Sequence, residues 1–182
     1  MKELSLNILD IAENSLRAGA TLTEICLTDR GDTRTLRIAD DGCGMDAETV
    51  ARVTDPFCTT RTTRKVGMGL PLLKLEAEQT GGRLTVTSRD AARYPADHGT
   101  VVEAVFHTDH IDCLPLGNVT ETLVTLIQGH PDRDFRFEHR RTAGEPVTLD
   151  TRQLRQVLED VPLNSFEVLQ WIRDHLNEQY AG

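Results

Sequence analysis

The 182-residue sequence predicts an α+β fold in which helices pack on a sheet, and three observations carry that expectation. A helix-period stretch opens the chain from Glu3 to Ala20. Alternating strands then come in two pairs, Leu22–Thr28 with Thr35–Ala39 and Leu84–Ser88 with Thr100–Phe106, around turn signals and one further helix. A change of composition follows. It reads as a helix from about Asn118 to Gln128, a hairpin of Phe135–Arg140 and Pro146–Leu149 around Ala143-Gly144, and helices Thr151–Leu158 and Ser165–Gln179.

The first helix has two sides. Leu4, Ile8, Ile11 and Ser15 form one row and Leu9, Ala12 and Leu16 the next, a surface suited to packing on a sheet. Glu3, Asn7, Asp10, Asn14 and Arg17 form the opposite ridge. A carboxylate there can orient or deprotonate water, a carboxamide oxygen is a hard ligand for Mg²⁺, and a guanidinium pairs with phosphate. Most polar stripes are solvated helix faces, and taken alone this ridge reads as one; the motifs downstream reverse that reading.

Gly19 reads as the stop of this helix, and Asp29-Arg30-Gly31-Asp32 as the turn between the first two strands. The second strand runs into Asp40-Asp41-Gly42-Cys43-Gly44, where two glycines permit a tight turn and Asp40 sits where the strand leaves the sheet. Asp46 caps a short helix through Ala51. The polar stretch Asp55–Lys65 has the composition of a mobile loop with Phe57 as its anchor. The next helix starts at Leu70 or Pro71 and stops at Gly81-Gly82. Gly67 and Gly69 thus place backbone N–H groups at a helix N-terminus, with Arg61, Arg64 and Lys65 upstream, a combination that holds a polyphosphate. It matches neither the P-loop nor the Rossmann pattern.

The bulk numbers narrow the classes. A net charge of −9 argues against a nucleic-acid or anionic-membrane surface. Cys26, Cys43, Cys58 and Cys113 form no C-x-x-C pair, so free thiols in a reducing compartment are expected rather than zinc. Packing explains Cys43 and Cys58 as well as redox sensing does, and Lys74 receives no role. No apolar run reaches the ~20 residues of a membrane span and no signal peptide is evident, so a cytoplasmic protein is expected.

Together these stretches resemble, in the same order, the motifs of the superfamily of gyrase, the heat-shock-90 chaperones, histidine kinases and mismatch-repair ATPases. The resemblance runs from Glu3 to Phe106. It implies the Bergerat fold: a two-layer α/β sandwich, a mixed sheet covered by helices on one face. Residues 1–108 would be the ATP-binding domain, and 109–182 a helix-hairpin-helix-helix extension packed on it. ATP and Mg²⁺ are the implied cofactors.

Residue by residue, Asn14 matches the asparagine that coordinates Mg²⁺, and Asp10 sits where hydrolysing members carry a glutamate base. These two are the candidate catalytic residues, although Asp10 also reads as a simple helix-face charge. Arg17 falls where kinases place a basic residue near the phosphates. Asp40 matches the aspartate that receives the adenine amino group, with Gly42 and Gly44 completing that box. Phe57 with Thr59-Thr60-Arg61 looks like the start of the ATP lid, Gly67-Met68-Gly69-Leu70 like the glycine box beside the phosphates, and Gly99-Thr100 like the strand that helps hold the adenine.

Glu13-Asn14-Ser15-Leu16 and Ala18-Gly19-Ala20-Thr21 look like mismatch-repair ATPases, whereas Pro56–Arg61 and Gly67–Lys74 look like histidine kinases, the better match overall. Two departures stand out. The strand and helix that usually precede the asparagine helix are missing, and the hairpin Phe135–Leu149 is the candidate replacement at the sheet edge. No histidine among His98, His107, His110, His130, His139 and His175 has an H-E-x-x-x-P context, so each is expected to be solvated or structural.

The expected function is therefore a kinase or ATPase domain acting on a separate protein partner or phosphoacceptor, as a monomer or an ATP-dependent homodimer. The alternatives are an anti-sigma-like ATP-gated binding protein and a mismatch-repair-like ATPase. The segment after Pro115 is either the partner-docking part or a subdomain that completes the core. Small stand-alone proteins resembling this one are encoded beside iron-only hydrogenases, which implies a hydrogenase-system protein as one candidate partner.

Overall fold

In the computed structural model, which describes residues 2–55 and 68–182, the chain runs α1 (Leu4–Arg17), β1 (Leu22–Arg30), β2 (Thr33–Asp40), α2 (Ala47–Arg52), α3 (Gly69–Gln79), β3 (Arg83–Arg89) and β4 (Gly99–His107). It continues through α4 (Val119–Gly129), β5 (Asp134–Arg140), β6 (Val147–Asp150), α5 (Thr151–Leu158) and α6 (Phe166–Ala181). The strands form one six-stranded sheet in the order β3-β4-β2-β1-β5-β6. Every neighbouring pair is antiparallel except β1 with β5, so the sheet is mixed.

Alternation along the strands decides which face is covered. Ile25, Leu27, Leu36, Ile38, Val102, Ala104, Phe106, Phe135 and Phe137 are buried against the helices, while Glu24, Arg37, Glu103 and Arg136 point the other way. The apolar row of α1, with Leu4, Ile8, Ile11 and Ala12, joins Leu73 and Ala77 of α3 and Leu123 and Ile127 of α4 over that face. This is the α+β, two-layer arrangement expected.

The hairpin of β5 and β6 takes the edge beside β1, the place assigned to it from the sequence. The segment that leads into α4 completes α1. The Leu4 and Ser5 amides donate to the carbonyls of Pro115 and Leu116, both at 2.9 Å. Glu3 makes no side-chain cap, so these two bonds satisfy amides that the first turn leaves unpaired.

Some local expectations shift. Strands β1 and β2 run on to Arg30 and Thr33, leaving Gly31-Asp32 alone as the turn, with Gly31 at φ +57°. The cause is side-chain pairing across the ladder. Asp29 accepts from Arg34 Nε at 2.7 Å and Nη2 at 2.9 Å, and its Oδ2 lies 3.1 Å from His139 Nε2. Burial pushes the Asp29 carboxyl up, but the bonds and charges of Arg34 and His139 outweigh it and hold the group below its usual value. Burial pushes the His139 imidazole down, and it pushes the phenol of Tyr180, 3.0 Å from His139 Nδ1, up to about 12. Asp46 caps α2 as expected, accepting from the Thr49 amide at 2.7 Å. Ser165 precedes α6 without a side-chain cap, its hydroxyl oxygen buried and without a partner among the described residues.

Candidate functional site

The site is assembled where β2 leaves the sheet. Asp41 accepts from the Thr21 amide at 2.7 Å, the Leu22 amide at 3.0 Å and the Thr21 hydroxyl, which ties the strand exit to the α1–β1 junction. Burial would raise its pKa, but these bonds more than offset it and keep the carboxyl below its usual value. One residue earlier, Asp40 turns the other way, toward α1. Its Oδ2 accepts from Ser15 Oγ at 2.6 Å, and its Oδ1 accepts from the Gly42 amide at 2.9 Å and the Thr100 amide at 3.3 Å. A carboxylate offers about four lone-pair positions, so three are filled by this frame and, among the described residues, one on Oδ2 remains for a donor.

The glycines of the D-D-G-x-G run are required by close approach. A Cβ on Gly42 would stand 2.9 Å from Ala18 Cβ, and one on Gly44, at φ +68°, would run into the Arg89 carbonyl. The Cys43 amide donates to Ala18 O at 2.9 Å, the Ala91 amide to Cys43 O at 2.9 Å, and the Met45 amide to Ser88 Oγ at 2.8 Å. His98 Nδ1 lies 2.6 Å from Gly42 O. A cavity borders Asp40, Ser88, His98, Gly99 and Thr100.

On the other side, α3 begins against α1. A Cβ on Gly69 would collide with the Asp10 carboxylate as it is placed, so the glycine lets the first turn of α3 approach Asp10 without displacing that side chain. Met68 is about half exposed, whereas Leu70 faces the core. Asn14 lies one turn beyond Asp10, and its Oδ1 accepts from Arg17 Nη1 at 3.2 Å. The structure thus pairs Arg17 with the carboxamide oxygen assigned to a cation.

Of the sequence-derived site residues, Asp10, Asn14, Arg17, Asp40, Gly42, Gly44, Met68, Gly69, Leu70 and Thr100 are described, and Phe57, Thr59, Thr60, Arg61 and Gly67 lie outside the described residues. Asn7, read as part of a polar ridge, is 1 % exposed and donates to Glu76 Oε2 at 2.7 Å, so the ridge is interrupted by a buried α1–α3 contact. Its Oδ1 has no partner among the described residues. Ser15, placed in the apolar row, proves to be the Asp40 partner. The signal was available, because a hydroxyl inside an otherwise apolar row must find an acceptor. His98 and Ser88 were not singled out, since only the third dimension brings them to Gly42 and Met45.

The family described as histidine kinase-, DNA gyrase B- and HSP90-like ATPase matches residues 1–110, more than half of the chain. The chain belongs to this ATPase family. As a member, it shares 28% identity over 185 residues with the DNA mismatch repair protein MutL of Listeria monocytogenes serotype 4b, strain F2365, across 83% of this chain and 30% of that protein. It therefore spans about a third of the length of the curated relatives it matches. Among solved structures, the Aquifex aeolicus MutL ATPase domain complexed with ADP covers 87% of this chain and 70% of its own, with TM-score 0.58 and 15% identity. The catalytic domain of the histidine kinase ThkA covers 57% of this chain and 64% of its own, with TM-score 0.44 and 19% identity. No helix among the described residues is long and apolar enough to cross a membrane.

Proposed function

We propose that this ATPase-family chain binds Mg-ATP between α1, the β2 exit and α3, and acts in the cytoplasm as a histidine-kinase-like ATPase or protein kinase domain on a separate protein partner. The single observation that carries the reading is the Asp40 carboxylate, held by three donors and retaining one acceptor position for the adenine amino group. The glycines at positions 42, 44 and 69 support that reading by letting α1, the β2 exit, β3 and the start of α3 close in around the site, since a Cβ there would meet Ala18, the Arg89 carbonyl or Asp10. Asn14 fits Mg²⁺ as a hard oxygen ligand, provided that Arg17 releases its Oδ1. Arg17 is then free for a phosphate, and Asp10, beside the start of α3, orients or deprotonates the nucleophile. ATP supplies the activated γ-phosphoryl group and Mg²⁺ the neutralisation of phosphate charge. The acidic balance of the chain supports a protein partner over nucleic acid.

The test is calorimetric titration of Mg-ATP into the wild type, Asp40→Asn and Asn14→Ala. Wild-type binding, its loss in Asp40→Asn and a weakened Mg²⁺ dependence in Asn14→Ala are expected. Absence of binding by folded wild type at millimolar nucleotide refutes the reading. Labelled γ-phosphate then separates transfer to a protein from release to water.

One observation favours a second reading, a mismatch-repair-like ATPase that dimerises on ATP. The similarity to MutL covers 83% of this chain and therefore reaches beyond the residues 1–110 of the family match. Light scattering with a non-hydrolysable ATP analogue tests it, since that reading requires the mass to double and an unchanged mass rules it out.

A further inference from the structure

The Asp40 frame depends on a residue that the motif pattern does not contain. A carbonyl oxygen only accepts, so the 2.6 Å contact between His98 Nδ1 and Gly42 O fixes the proton on Nδ1, with the imidazole as donor. The peptide that carries this carbonyl also carries the Cys43 amide, which donates to Ala18 O at 2.9 Å. The Gly42–Cys43 peptide is thus gripped at both ends, by α1 on one side and by His98 on the other. The amide of the same Gly42 donates to Asp40 Oδ1.

His98 also directly precedes Gly99 and Thr100. Gly99, at φ +136°, leaves no room for a Cβ against the Asp40 carbonyl, and the Thr100 amide is another donor to Asp40 Oδ1. One imidazole therefore joins the start of β4 to the exit of β2 at the carboxylate. A segment with two glycines has wide backbone freedom and needs such outside restraints to keep one conformation.

We infer that His98 is a positioning residue that sets the base selectivity of this site, by holding Gly42 so that the Asp40 carboxylate keeps one orientation. The inference rests on the ATP reading above. Adenine presents an amino donor where guanine presents a carbonyl oxygen. A carboxylate locked with one open lone pair accepts the first and repels the second. With the Gly42 amide no longer held in place, the carboxylate keeps only Ser15 and Thr100 as fixed donors, gains freedom to turn and loses part of that discrimination.

The experiment is calorimetry with Mg-ATP and Mg-GTP on the full chain as wild type, His98→Ala and His98→Asn, with melting temperatures recorded for each. Amide exchange of Cys43 is followed without nucleotide. Removing one hydrogen bond of this kind corresponds to about a three- to tenfold weakening, expected for ATP in His98→Ala while GTP is unchanged. His98→Asn, which keeps an N–H donor, restores most of the difference, and Cys43 exchange quickens in His98→Ala only. An unchanged ATP-to-GTP ratio in His98→Ala overturns the inference, including the case of equal loss for both nucleotides accompanied by a lower melting temperature. If wild type binds neither nucleotide, the ATP reading falls and selectivity with it, while Cys43 exchange still reports whether His98 restrains the segment.

Discussion

Asp29→Ala tests the polar cluster that joins β1, β2, β5 and α6. The carboxylate accepts two bonds from Arg34, at 2.7 and 2.9 Å, and lies 3.1 Å from His139 Nε2. The Asp29 and Arg34 side chains are 17% and 18% exposed and His139 only 3%. Removing one partner of a buried pair costs about 3–5 kcal/mol, because the other charge is left unpaired. Water still reaches both groups here, which places the expected loss at the lower end, about 3 kcal/mol. For a chain of this size each kcal/mol lowers the melting temperature by roughly 2–4 °C, so a fall of about 6–12 °C is expected by calorimetry at neutral pH. The double variant Asp29→Leu with Arg34→Met leaves no unpaired charge between the two and should recover most of the loss. A fall below about 1 kcal/mol in Asp29→Ala, or a double variant no more stable than the single, would refute the reasoning.

Three further outcomes are expected. His139 is held below its ordinary value of 6.5, so the unfolded chain takes up a proton that the folded chain resists; this stabilisation is complete above pH 6.5 and is lost as pH falls through the lower folded value. The pH dependence of stability should therefore be flatter over that interval in His139→Gln than in wild type, while the Asp29 contribution in wild type declines as pH falls from its ordinary value of 3.8 through the lower folded value. Gly44→Ala places a Cβ against the Arg89 carbonyl at φ +68° and should lower the unfolding free energy measured in urea by at least the ~1–2 kcal/mol of left-handed strain, with weaker ATP binding by the folded variant. Phe137→Ala opens a cavity under β5 at a side chain 1% exposed and should cost about 3–5 kcal/mol in the same denaturation assay.

The parts legible in the sequence were those with local causes. Periodicity gave α1, turn chemistry gave the β1–β2 hairpin, and the D-D-G-x-G run located the strand exit, because each is encoded within a few neighbouring residues. What escaped depends on distant pairs. Asn7 stands on the polar side of α1 by spacing, yet Glu76, 69 positions away, draws it into the interior. Asp29 and Arg30 read as turn residues because their strand partners lie across the sheet; Arg34 and His139 keep Asp29 in β1 instead. Ser15 and His98 gain their roles only when α1, β2 and β4 converge on Asp40. The hairpin could be placed at the sheet edge only through the resemblance, and no pattern in Phe135–Leu149 itself names β1 as its neighbour.

The parallel pairing of β1 with β5 has a consequence for how the chain comes to be made. Glu24 and Arg136 are register partners, yet 112 positions separate them. Pairing over such a separation carries a large loop-closure cost before any contact rewards it, and it slows folding. During synthesis, β1 leaves the ribosome with one edge unpaired and waits for about a hundred more residues, several seconds at ordinary elongation rates. An unpaired apolar strand in that interval is a template for association with other chains. The charged Glu24 and the half-covered Thr28, on the face opposite the core, are the gatekeepers this nascent strand carries.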